Sequence, residues 1–135
     1  MNRPLEATAL RFVLDLPAPR DVVWDLWTSP RRLTDWLCSG AALEPAVGGR
    51  FLAAWDRLPI SGEVLFIDRP RRLLLEWHIE GHLSRVEARL FPTLDGTRLE
   101  VAHLDLATEA LQAEASQRWQ AALERLRTLV RADRG

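Results

Sequence analysis

Apolar residues alternate with polar ones from the first strand onward. Leu10, Phe12, Leu14 and Leu16 share one side of a segment over Ala9 to Leu16, and Arg11 and Asp15 take the other, the signature of a half-buried strand. Pro17-Ala18-Pro19 ends it. Pro19 suits the first turn of a helix and Asp21 its positive N-terminal end. Val23, Leu26 and Trp27 then recur at helical spacing, with Trp24 or Trp27 expected to point partly outward. Ser29-Pro30 stops that helix and caps a second short one reaching Trp36.

The period then changes to two. Val47-Gly48-Gly49 marks a bend before a strand carrying Phe51, Ala53 and Trp55 on one face. Ile60, Gly62, Val64 and Phe66 share a face of the next strand, and Asp68-Arg69-Pro70 signals a turn. Leu73, Leu75, Trp77 and Ile79 follow, then a hairpin near Gly81. Ser84, Val86, Ala88 and Leu90 alternate with Arg85, Glu87 and Arg89. Asp95-Gly96 is a hairpin signal before Thr97, Leu99, Val101 and His103.

From about Thr108 to Arg131 the period returns to that of a helix, roughly 36 Å long at 1.5 Å per residue. Leu111, Ala115, Trp119, Ala122, Leu126 and Leu129 form its apolar stripe, Thr108 can cap it, and Glu114 and Arg118 are spaced for a surface pair. A sheet with one apolar face needs a cover. This helix is the only element long enough. The expected fold is α+β: a curved antiparallel sheet wrapped around a long C-terminal helix, with two short helices after the first strand.

Composition narrows the class. The 135 residues suit one domain over 1–135, and 47% apolar with 27% charged residues excludes a disordered chain. Eighteen basic and nineteen acidic side chains nearly cancel, so no nucleic-acid footprint is expected. Every basic residue is Arg, which removes Schiff-base lysine chemistry and lysine phosphate loops. No apolar run approaches a membrane span, Met1 to Leu10 lacks a signal-peptide core, and the lone Cys38 suits a reducing compartment. A cytoplasmic protein is expected, with no membrane and no nucleic acid.

The order of elements and several local motifs together resemble the START-like, helix-grip superfamily, also called SRPBCC. Within it the chain is similar to the branch of activator-of-heat-shock-protein-ATPase homologues. The matching segments include Pro19-Arg20-Asp21-Val22-Val23-Trp24, Trp36-Leu37, Glu44-Pro45-Ala46-Val47-Gly48-Gly49-Arg50-Phe51, Gly62-Glu63-Val64, Leu73-Leu74-Leu75-Glu76-Trp77, Gly96 to His103, and Trp119. The resemblance runs from about Thr8 to Val130. It implies the helix-grip fold and leaves activity open, because the superfamily holds carriers, receptors, cyclases and chaperone regulators. Two positions depart from the family pattern: Arg118 and Asp105 stand where glycine often does.

Candidate chemistry is sparse. The inner strand positions carry almost no charge, only Ser84 and His103 bringing polarity, so acid–base catalysis by paired carboxylates is not expected. An apolar cavity between sheet and helix fits a small hydrophobic ligand. Its expected wall is Phe12, Trp36, Phe51, Trp55, Phe66, Trp77, Val86, His103 and Trp119. Two alternatives stand beside this reading: a cyclase- or hydrolase-like enzyme using His103, and a chaperone-regulating interaction module. A homodimer and a chaperone partner remain open. Cys38 as a nucleophile is disfavoured because it would need a nearby base and a lowered pKa that spacing cannot show, a metal site from His78, His82, His103 and Cys38 by their placement on different strand faces, and no cofactor is expected.

Overall fold

The computed structural model describes residues 9–134; the expectation about the N-terminal stretch lies mostly outside them. The elements run β1 (Leu10–Leu16), α1 (Arg20–Thr28), α2 (Pro30–Trp36), β2 (Ala41–Leu43), β3 (Arg50–Trp55), β4 (Leu58–Asp68), β5 (Arg72–Ile79), β6 (His82–Thr93), β7 (Gly96–Leu104) and α3 (Glu109–Arg134). The strands make one antiparallel seven-stranded sheet in the order β1-β7-β6-β5-β4-β3-β2. Six consecutive strands form a meander from β2 to β7. The helices α1 and α2 carry the chain from β1, on one edge, to β2, on the other. The curved sheet and α3 form the sheet-and-helix architecture that the hydrophobic pattern predicts, the helix-grip fold that the resemblance implies.

Local chemistry explains the joins. Ser29 Oγ accepts from the Arg32 backbone N–H at the start of α2, and Pro30 occupies its first turn. Thr108 Oγ1 accepts from the Leu111 N–H at the start of α3. Asp56 and Arg57 both take positive φ, 53° and 73°, in the two-residue β3–β4 loop, the primed geometry that matches strand twist. Leu94 and Asp95, one position before the expected pair, make the β6–β7 turn, and Gly96 opens β7. The three-residue strand β2 carries no alternation long enough to read in the sequence.

The inner face of β5, β6 and β7 is buried as the alternation predicts. On α3 the buried stripe is Ala115, Trp119, Ala122, Leu123, Leu126 and Val130, with Leu111 and Leu129 half-buried at its border. Two expectations fail. Phe66 is not on the inner face: the register shifts between Val64 and Phe66, leaving Leu65 as an extra residue. Phe66 is thereby turned outward, 39% exposed, where the Arg72 guanidinium lies 4.8 Å from its ring centre. Trp24 and Trp27 are both buried, because residues three apart on a helix share a face.

Gly62 positions the aromatic core. It pairs with Phe51 on one side and Trp77 on the other. With no side chain between them, the two rings stack with centroids 5.8 Å apart and an interplanar angle of 6°. A Cβ there would sit 1.6 Å from the Glu76 carbonyl oxygen. Gly62→Ala is therefore expected to lower folding stability by at least about 2 kcal/mol in urea unfolding. Gly40→Ala, where nothing lies within 4 Å of the added carbon, should stay within about 0.5 kcal/mol of the parent.

Candidate functional site

The space between the sheet and α3 is filled by rings. From the Phe51–Trp77 stack the contacts continue to Trp119 (5.7 Å, 14°), Trp27 (6.2 Å, 24°) and Trp36 (4.9 Å, 63°). Trp55 meets Trp77 edge to face at 5.0 Å and Trp119 at 5.5 Å. Phe12 is half-buried at the border, 6.5 Å from Trp119. Such pairs add roughly 0.5–1.5 kcal/mol each beyond area burial. The central hollow expected from the sequence is thus occupied by the very residues named as its wall: Phe51, Trp77, Val86, His103 and Trp119 lie in a closed core.

His103 organises that core. The Trp119 indole can only donate, so its Nε1–H gives a hydrogen bond to His103 Nδ1 at 3.0 Å. The imidazole proton is therefore assigned to Nε2, which donates to Ser84 Oγ at 2.9 Å. The Ser84 hydroxyl in turn donates to the Trp77 carbonyl at 3.3 Å. This chain ties α3 to β7, β6 and β5. Burial drives the His103 pKa down to about 3, holding the ring neutral. With both nitrogens engaged and no carboxylate against it, His103 has no lone pair to offer a substrate. That geometry disfavours the alternative reading of an enzyme that uses it.

The remaining donors are less well served. Trp36 Nε1 donates to the Leu26 carbonyl at 2.8 Å. The indole nitrogens of Trp27, Trp55 and Trp77 are buried without a hydrogen-bond partner. Each such donor costs on the order of 1–3 kcal/mol if left unmade.

A pocket of about 420 Å³ opens at one end of the sheet–helix interface, where α2, the β3–β4 loop and α3 meet. Trp36, Cys38, Trp55, Asp56, Arg118 and Arg125 line it. Of the nine predicted wall residues, Trp36 and Trp55 reach it. Arg125 Nε donates to the Trp36 carbonyl at 2.9 Å, fixing α2 against α3. The Arg118 guanidinium lies 5.6 Å from the Trp55 ring centre, with Asp56 at 3.7 Å and Glu114 at 3.8 Å. The sequence pointed to Arg118 as a partner of Glu114 and as a position where the family often has glycine, and it passed over Arg125. Their shared face with Ala121, at helical spacing beside the apolar stripe, was the available signal.

Cys38 is buried beside the pocket. Its thiol donates to the Leu33 carbonyl at 3.6 Å. Burial pushes its pKa up to about 11, against a smaller opposing effect of the Gly40 backbone N–H. That is the reverse of an activated nucleophile. Among the described residues no group of three His, Cys, Asp or Glu side chains is placed to hold a metal ion. No helix among them is long and apolar enough to cross a membrane. A wider depression of about 540 Å³ lies at the β6–β7 hairpin, lined by Pro17, Pro19, Pro70 and Pro92, and none of the predicted wall residues reaches it. On the outer sheet face Glu87 accepts from Arg72 and from Arg89 (3.2 Å), and Arg85 pairs with Asp105 at 2.7 Å. Of these, Arg72–Glu87 joins neighbouring strands β5 and β6, and Arg89–Glu87 lies within β6. Asp105 takes the left-handed φ of 65°.

With fold and site in view, the comparisons place the chain. Residues 17–131 match the family model described as activator of Hsp90 ATPase homolog 1-like protein, and the chain belongs to that family. The crystal structure of CalU16 from Micromonospora echinospora is similar at 33% identity and a TM-score of 0.74, over 90% of this chain and 74% of that one. Protein MLL2253 from Mesorhizobium loti shares the fold at 23% identity, with a TM-score of 0.84 over 92% and 97% of the two chains. An HSP90 activator from Plasmodium falciparum shares it at 19% identity and 0.75, over 90% and 95%. A search of curated proteins gives no match.

The buried imidazole yields a pH test. Between His103's ordinary pKa of 6.5 and its folded value of about 3, the unfolded chain binds a proton that the folded chain refuses. Its contribution to stability is whole above about 6.5 and falls as the pH drops toward 3, by up to about 1.4 kcal/mol per unit. Carboxylates shared by parent and variant cancel in the comparison. Urea unfolding from pH 7 to pH 4.5 should therefore show a steeper loss for the parent than for His103→Gln; parallel curves would contradict the assignment.

Proposed function

We propose that the protein binds a small, mainly apolar molecule in the pocket framed by α2, the β3–β4 loop and α3. The observation carrying this reading is that two residues expected from the sequence to hold a ligand, Trp36 and Trp55, line a pocket of about 420 Å³. Small-molecule sites span roughly 300–1,000 Å³ and combine aromatic walls with a few polar groups. Here Trp36, Leu37, Trp55 and Ala121 are among the lining residues, and Arg118, Arg125 and Asp56 are among the polar ones. Binding is favoured over turnover because His103 spends both ring nitrogens on the core.

Ala121 lines the pocket from the exposed side of α3, so a large side chain there blocks the site without entering the core. Native mass spectrometry of the parent should detect a retained small molecule, and Ala121→Trp should lose it. The variant's thermal midpoint should stay close to that of the protein stripped of ligand. Undiminished retention in Ala121→Trp would place the guest elsewhere.

A further inference from the structure

Two residues lining this pocket carry a buried N–H group with no hydrogen-bond partner. Trp55 is buried and its Nε1–H has no partner. The Arg118 side chain is 22% exposed, and its Nε is buried with no hydrogen bond. Its neighbours Asp56 and Glu114 stand at 3.7 and 3.8 Å, beyond hydrogen-bond reach, and are 76% and 59% exposed. Water-exposed pairs of this kind contribute about 0–1 kcal/mol and exchange readily. By contrast, Trp36 Nε1 and Arg125 Nε, on the same rim, are both committed to backbone carbonyls.

We propose that the pocket selects an organic monocarboxylate, its carboxylate accepting from the Arg118 guanidinium, which lies over the Trp55 ring at the pocket. This rests on the small-molecule reading of the same pocket and adds the charge of the ligand. Guanidinium–carboxylate hydrogen bonds are stronger than neutral ones and orient the ligand. The incoming carboxylate takes the place of Asp56, which holds Arg118 over Trp55 at a distance. A single negative charge is favoured over two, because Asp35 and Asp56 both line the pocket and Glu114 stands beside it. A phosphate dianion would meet three carboxylates around one uncommitted guanidinium.

Isothermal titration calorimetry with 1-naphthoate and octanoate, set against their uncharged primary amides, tests the charge rule. The acids should bind at least tenfold more tightly than the amides. Arg118→Gln should bring the acids down to the level of the amides. Asp56→Asn, which removes the competing carboxylate, should tighten acid binding several-fold, and inorganic phosphate at millimolar concentration should not displace the acids. Equal binding of acid and amide, or acid binding untouched in Arg118→Gln, would overturn the carboxylate assignment while leaving the pocket as a binding site. Displacement by phosphate would overturn the single-charge selection. Binding of neither acids nor amides would overturn both.

Discussion

One hydrogen bond, from the indole of Trp119 to Nδ1 of His103, sets the arrangement of the interior. It joins the middle of α3 to the end of β7, and it fixes the imidazole tautomer so that Ser84 and the Trp77 carbonyl complete the chain. Without a partner for that histidine, a polar ring would sit among tryptophans at a cost of several kcal/mol. With it, each buried polar residue in the core is paired: Ser84 and His103 with one another, and Thr97 with the Ala18 carbonyl at 2.7 Å. The register of α3 over the sheet is thus specified by a directional contact, on top of the apolar stripe that would tolerate some sliding.

That specification has a consequence for where chemistry can happen. The rings of Phe51, Trp77, Trp119, Trp27 and Trp36 pack in a continuous series through the centre. A core filled to this degree has no room for a guest without rearrangement, since interiors are close-packed. Accessible polar groups are therefore pushed to the rim, where α3 passes the β3–β4 loop. There Trp55 is shared: its ring belongs to the core, and the same residue lines the pocket.

Much of the fold was legible because strand alternation and the stripe on α3 are direct consequences of one-sided burial. Leu73, Leu75, Trp77 and Ile79 on β5, and Ser84, Val86, Ala88 and Leu90 on β6, lie inward as their spacing requires. Phe66 was misread because an extra residue, Leu65, shifts the register within a strand, and period-two counting carries no mark of a bulge. Trp24 and Trp27 were misread because their spacing was treated as divergent, although three residues along a helix is close to one turn. The candidate site was legible only in part. Trp36 and Trp55 were found as aromatic residues on inner faces, but whether such rings line a hollow or fill it depends on side-chain packing that no periodicity encodes. Arg118 and Arg125 were missed as a site because their partners, Trp55, Asp56 and the Trp36 carbonyl, come from distant stretches of chain.

The family shares a scaffold, and the distinctive residues of this chain sit on its margins. Asp105 adopts a backbone conformation that glycine takes freely, and its carboxylate meets Arg85 across the outer face. Arg118 puts a cation one residue before the tryptophan that anchors the core. The arginine lies over the Trp55 ring and brings a charge to the pocket. Because Trp119 is locked to His103, the neighbouring Arg118 has its direction set by the same helix register. The contact that closes the core therefore also aims the guanidinium at the rim. Fold and binding chemistry are coupled through adjacent residues on one helix.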